Sequence, residues 1–262
     1  MIVRYLKKAK QALTETSLHC LMHRRKVHLY CTGTAKSGTH SIAALFEDKY
    51  RSAHEPESRQ VIDMIMNYTA GKINDKSLSK FLLKRDRRLC LDVDSSQLNI
   101  FFIDKLVDLF PGAKFIFTIR HPYDWLDSFI NHQLSRSCSE YWKKWRDWRF
   151  RPDKYSFSEK ESVLKEKGLY SLDGYLSYWA YHNKKVIETV PEDRLLVVKT
   201  NEITQSLKNI AAFAEIPESD LNGERSYVYK AKGKFNVPDQ IEKEYLDRKI
   251  RQHCGFLMEK FF

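Results

Sequence analysis

The sequence predicts an α/β protein of three layers, a central parallel β-sheet flanked by helices on both faces. Three observations carry this. Short apolar runs alternate with helical patterns along most of the chain, the order that builds a parallel sheet through helical crossovers. One run, "AKFIFTIR", is almost continuously apolar at Phe115, Ile116, Phe117 and Ile119, as in a strand buried on both faces. The 262 residues, 42% hydrophobic and 13% aromatic, are enough for one large α/β domain or two small ones, and too apolar for a disordered chain.

Taken in order, residues 1–25 read as an N-terminal helical extension carrying Lys7, Lys8 and Lys10, and residues 26–262 as one domain. "RRKVHLYCTG" is a strand ending at Gly33, and "SIAALFEDKY" has helical spacing at Ile42, Leu45 and Phe46. A short strand is expected around Tyr50 to His54, and "RLCLDVD" is a strand ending at Asp94. "AKFIFTIR" runs to Arg120 and "RLLVVKT" to Thr200. The helical patterns are "FFIDKLVDLF", "PYDWLDSFINHQL", "LDGYLSYWAYHNKKVIETV" and "SLKNIAAFAEI", with a final helix in "IEKEYLDRKIRQHCGFLMEKFF". Residues 137–168 are charged and aromatic, with no glycine before Gly168, and read as a lid-like insertion. No internal repeat or low-complexity segment is present.

The net charge of +11 fits an anionic partner: nucleic acid, membrane surface, nucleotide or acidic acceptor. The basic residues are dispersed and no nucleic-acid module is recognisable, so nucleic acid is not expected as a partner. No apolar run approaches the roughly 18 residues of a membrane span, and "MIVRYLKKAKQAL" is too short and too charged for a signal peptide. Five cysteines, an odd number with no C-x-x-C spacing, suit reduced thiols in the cytoplasm and argue against zinc. Cys31 and Cys90 lie in apolar runs and read as small core residues.

The chemistry begins in "CTGTAKSGTHS", Cys31 to Ser41. Gly33 and Gly38 have the G-x-x-x-x-G spacing of a phosphate cradle, but Thr39 stands where a nucleotide hydrolase needs lysine and His40 where it needs the magnesium-holding Ser or Thr. Lysine appears inside the loop instead, at Lys36. A glycine turn between strand and helix aims backbone N–H groups and the helix dipole at an oxyanion, a task for Ser37, Gly38, Thr39, His40 and Ser41. A triphosphate needs a metal to neutralise its clustered charge. A sulfuryl group bears less charge, and one lysine can stabilise its departure without a metal. The loop suits a phosphosulfate better than a triphosphate. His40 reads as an anion contact at the helix start rather than a base.

A second motif, "FTIRHPYDWLDSF", puts Arg120 at a strand end, Pro122 at a first helical position and Ser128 two helical turns further on. Arg120 can grip a phosphate bidentately and Ser128 can add a hydroxyl. Together the two motifs resemble the sulfotransferases that use 3′-phosphoadenosine 5′-phosphosulfate. "TAKSGTHS" is similar to that family's 5′-phosphosulfate loop, with Lys36 at its lysine position. "RHPYDWLDS" resembles its 3′-phosphate motif at Arg120, Pro122, Asp124 and Ser128. The resemblance extends through "DKLVDLFPGAKFIFTIR" and "DRLLVVKTNEITQSLKNIAAFAEIP", and covers roughly Lys26 to Pro238. It implies a P-loop-like fold, this donor with 3′,5′-adenosine bisphosphate as product, and no metal. A weaker match is "KAKGKFNV", where Lys232 and Gly233, with Lys230 and Lys234, stand for a late loop over the nucleotide; the blander reading is a solvated basic loop.

Transfer to a hydroxyl needs a proton acceptor. Glu55, in "SAHEPES", is the favoured base, because the resemblance places a glutamate here in members that act on carbohydrates and on protein tyrosines. Small-molecule members carry a histidine after the next strand, where this chain reads "DVDSSQL", so Asp92 and Asp94 stand as alternatives, and His54 after them. The blander reading of Glu55 is a helix-start carboxylate before Pro56. Trp142, Trp145 and Trp148 repeat every three residues, as core packing or as an acceptor platform flanked by Lys143, Lys144, Arg146 and Arg149. The expected activity is sulfuryl transfer to a hydroxyl or amine, with a carbohydrate among the acceptors. The rivals are a P-loop nucleotide-dependent kinase and a non-catalytic polyanion-binding protein.

Overall fold

A computed structural model describes Met22, residues 24–227 and residues 233–262. The proposed helical extension lies almost wholly outside the described residues, and so do Lys230 and Lys232. Five strands form one sheet in the order β2-β3-β1-β4-β5, where β1 is Leu29–Gly33, β2 Ser52–His54, β3 Val93–Ser95, β4 Lys114–Ile119 and β5 Leu195–Lys199. Every pairing is parallel, with Tyr30 opposite Phe115, Leu29 opposite Val93, and His54 opposite Ser95. The chain leaves the central strand β1 toward β2, returns to β3, then crosses to β4 on the other side. The carboxyl end of β1 is therefore a topological switch point, where open parallel sheets bind their ligands.

Alternation along the strands sends side chains to two cores. Tyr30, Phe115, Phe117 and Ile119 face the larger one, and Leu29, Cys31, Ile116 and Val198 the smaller. The smaller core is closed by helix α1 (Thr39–Phe46), through Ile42, Leu45 and Phe46, and by α9 (Leu207–Ala214), through Ile210, Ala211 and Ala214. On the other face lie α2 (Ser58–Thr69), α3 (Asp75–Leu89), α4 (Ile103–Leu109), α5 (Pro122–Leu134), α8 (Leu172–Thr189) and α10 (Lys243–Phe261). The layers are those expected. Helices α2 and α3 are additions that the sequence reading did not single out. On α3 only Leu78, Leu82 and Arg85 are buried, too thin an apolar stripe to stand out from its charged residues.

Two further helices, α6 (Glu140–Phe150) and α7 (Ser162–Glu166), occupy the 137–168 stretch. Trp145, Phe150 and Leu164 are fully buried in the larger core, each contributing on the order of 1.5–3 kcal/mol. Trp148 stacks on Trp145 with ring centroids 5.0 Å apart. The C-terminal helix α10 is clamped to α8, where Asp173 accepts hydrogen bonds from Lys249 at 2.7 Å and from His253 at 2.6 Å. No described helix is long and apolar enough to cross a membrane.

Candidate active site

A cavity of about 580 Å³ opens at the carboxyl ends of the strands. Lys36, Gly38, Thr39, His40 and Ser41 line it from the loop after β1, and His54 and Glu55 from the end of β2. Arg120 enters from the end of β4 and Thr200 from the end of β5. The two motifs, far apart in the chain, share one chamber.

The loop is built from its carbonyl side. Ser37 donates its N–H to the Thr34 carbonyl at 3.0 Å and its hydroxyl to the same oxygen at 2.7 Å. Trp125 donates to the Ala35 carbonyl at 2.8 Å, Arg120 to the Lys36 carbonyl at 3.2 Å, and Thr200 to the Ser37 carbonyl at 2.6 Å. With its carbonyls tied back, the loop turns its later amides toward the start of α1. Gly38 caps that helix at φ 104° without a side-chain cap, so the first turn of the helix presents its N–H groups at the cavity. This is the arrangement that holds an oxyanion. Gly33 is needed for close approach: a Cβ there would lie 2.1 Å from the Thr118 hydroxyl. Ser37 takes a different part from its neighbours, since its N–H and hydroxyl hold the turn and it does not line the cavity.

Lys36 has φ 72° and Glu55 φ 49°, left-handed conformations costing on the order of 1–3 kcal/mol in non-glycine residues. Burial, then Arg120 and Arg136, lower the Lys36 ammonium to about 8. Glu55 accepts a hydrogen bond from the Gln97 amide at 2.7 Å, and the Gln97 carbonyl accepts one from Arg149 at 2.7 Å. Burial raises the Glu55 carboxyl above its usual range, against the pull of Gln97 and Arg149.

The competing carboxylates are engaged elsewhere. Asp92 accepts from the Lys26 N–H at 2.6 Å and the Arg51 N–H at 2.9 Å. Asp94 pairs with buried Arg85 at 2.5 Å. Neither lines the cavity. His54 does, but its ring meets the Thr39 hydroxyl at 3.2 Å and packs 4.7 Å from the His40 ring, and burial lowers it to about 4. Ser128 is buried on α5 and Gly233 lies beside Phe235 and Ser135; neither lines the cavity. Among the described residues, no group of three or more His, Cys, Asp or Glu is placed to hold a metal.

The tryptophan stripe divides: Trp145 is fully buried in the core, Trp142 and Trp148 are both partly buried against it, and Trp142 also lines the cavity. Sequence reasoning missed Gln97, His132, Arg136 and Thr200 as lining residues. Thr200 alone carried a signal, its place at the end of a predicted strand.

A model of the sulfotransferase domain matches residues 28–221. The chain belongs to this family. No curated protein matches it in sequence. A sulfotransferase from Mycobacterium avium is similar in fold, with a TM-score of 0.51 at 12% identity, over 94% of this chain and 81% of that one. Also similar are a sulfotransferase from Alicyclobacillus acidocaldarius (0.46, 14% identity, 89% and 96% covered) and a sulfotransferase domain from the curacin biosynthetic pathway (0.42, 11%, 87% and 92%). The sulfotransferase has the expected P-loop-like α/β fold, with its glycine loop after the central strand.

Proposed function

We propose that this sulfotransferase moves the sulfuryl group of 3′-phosphoadenosine 5′-phosphosulfate to an acceptor hydroxyl. The reading rests on the shared chamber of the Lys36–Ser41 loop, Arg120 and Glu55. The donor fits the residues present: the first turn of α1, capped by Gly38 at the cavity, suits its 5′ group, and Arg120 its 3′-phosphate; Ser128, the second contact that the resemblance implies, is buried on α5 and does not line the chamber. The donor supplies an electrophilic sulfur whose bond to a phosphate oxygen breaks as the acceptor oxygen bonds to it. Lys36 stands against the leaving oxygen and neutralises the charge it gains. Glu55 takes the hydroxyl proton; its raised pKa makes it a stronger base than an exposed glutamate. Gln97 fixes the carboxylate's orientation, and Arg149 fixes Gln97. We take the left-handed backbone at both Lys36 and Glu55 as strain kept for their positions. Lys232 and Gly233 stand as the late loop's contribution. The odd number of cysteines and the lack of C-x-x-C spacing support a cytoplasmic setting in this reading.

Calorimetry with 3′,5′-adenosine bisphosphate and adenosine 5′-monophosphate tests the donor. A charge-assisted pair at the 3′-phosphate is worth about 1.5–3 kcal/mol, so the bisphosphate should bind roughly 10- to 150-fold tighter. Arg120→Ala should erase the difference. Equal affinities in the wild type would sink the donor assignment.

A further inference from the structure

Helix α6 presents one stripe of side chains to the cavity. Trp142, Arg146 and Arg149 stand at i, i+4 and i+7, and all three line it. Arg136, just past α5, lines it too. With Lys36 and Arg120 this gives, among the described residues, five Lys and Arg side chains in the lining against a single carboxylate, Glu55.

The reading above uses three of the five. Lys36 and Arg120 serve the donor. Arg149 serves Gln97, and its guanidinium lies 5.0 Å from the Trp145 ring and 5.3 Å from that of Tyr178, which fixes it in the wall. Arg146 is half-buried, one turn from Arg149 on the same face. Its neighbour Asp147 accepts the Tyr170 hydroxyl at 2.7 Å and does not line the cavity. The cations converge. His132, across the cavity on α5, is lowered to about 4 by burial and then by Lys36, Arg136, Arg146 and Arg149 together.

We propose that Arg146, with Arg136 beside it and the Trp142 indole as a ring platform, forms an acceptor subsite for a ring compound carrying an acidic group near its reacting hydroxyl. The inference rests on the sulfotransferase reading and adds the charge of its acceptor. Arg146 grips a carboxylate or sulfate by its fork of N–H groups. Trp142 covers the ring face. Glu55 meets the hydroxyl, and the positive wall offsets the repulsion between an acidic acceptor and an anionic donor.

Binding of matched pairs, measured by calorimetry without donor, tests this independently of turnover. One pair is methyl glucuronide against methyl glucoside; the other is 4-hydroxyphenylacetate against 4-hydroxyphenethyl alcohol. The acid of at least one pair should bind roughly 10- to 150-fold tighter than its neutral partner. Which pair shows the larger ratio identifies the ring as sugar or arene. Arg146→Gln should collapse the ratio toward one, Arg146→Lys should keep part of it, and Arg146→Glu should invert it, each with an unfolding curve close to wild type. Equal binding, or none, in both pairs overturns the proposal. So does loss of 3′,5′-adenosine bisphosphate binding in Arg146→Gln, which would assign that arginine to the donor. If the wild type fails to bind the bisphosphate but keeps the acid preference, the donor reading falls and the acidic subsite stands.

Discussion

Strands β2 and β3 lie side by side in parallel, and each ends in acidic chemistry: Glu55 one residue past β2, Asp94 within β3. Their surroundings differ. Asp94 meets a full guanidinium, Arg85, at 2.5 Å, itself buried and held by the Pro56 carbonyl at 3.0 Å. Glu55 accepts its hydrogen bond from a neutral amide, Gln97, with the Arg149 charge one residue further away and His40 in the same cavity. A carboxylate matched by a buried cation is spent on the fold. One matched by an amide keeps its basicity, and burial then strengthens it.

The sharpest way to break that comparison is to neutralise each carboxylate in turn. Glu55→Gln keeps the shape and the Gln97 hydrogen bond but removes the base, so turnover should fall about 10²–10⁴-fold with substrate binding retained. Its melting temperature should hold or rise. The folded carboxyl is raised above its unfolded value, so the ionised form costs stability at neutral pH and that cost disappears as pH falls. A Glu55→Gln enzyme with wild-type turnover would remove Glu55 from the chemistry.

Asp94→Asn should behave in the opposite way. Removing one partner of a buried ion pair costs about 3–5 kcal/mol, and the low end is expected here because Glu57 also lies 3.7 Å from Arg85. Denaturant unfolding should show the loss, while turnover per folded molecule stays near wild type. If turnover collapses instead and stability holds, the base is on β3.

The place of Glu55 at the cavity was legible because it follows a short strand. The surroundings of the rival carboxylates were not. The sequence reads Asp92 and Asp94 as the end of the next strand, whereas β3 begins after Asp92 and holds Asp94 within it, and their partners Lys26, Arg51 and Arg85 come from far along the chain. The loop and Arg120 were readable from local order, strand then glycine then helix, and strand then Pro at the first helical position. Ser37 shows the limit of such reading: the motif makes it one of five equivalent loop residues, whereas its contacts to Thr34 and Thr118 make it the turn's fastening. The cavity wall was hardest. His132, Arg136 and Gln97 occupy a helix, a loop and a short helical turn with no shared spacing, and only the packing of α5 and α6 brings them together. Of the tryptophans, spacing could say that they share a face but not that Trp145 is buried, nor that Trp142 rather than Trp148 lines the cavity.

The smallest effect separates cations as the first separates carboxylates. Arg85 stays charged at any working pH, but Lys36, lowered to about 8, does not. The pH profile of kcat/KM reports the free enzyme, so its alkaline arm should fall about tenfold per unit above roughly pH 8 as Lys36 loses its proton. Unfolding cannot imitate this through Lys36. Its folded pKa lies below the ordinary 10.5, so between about 8 and 10.5 the unfolded chain holds more protons there. The Lys36 contribution to stability therefore rises with pH over the window in which activity falls. Lys36→Arg should lower activity overall yet flatten the arm, since arginine keeps its charge throughout. Arg136→Ala should move the arm upward, since one of the charges depressing Lys36 is gone. An alkaline arm unchanged in Lys36→Arg would mean that another group titrates, and that Lys36 does not carry the charge met by the leaving oxygen.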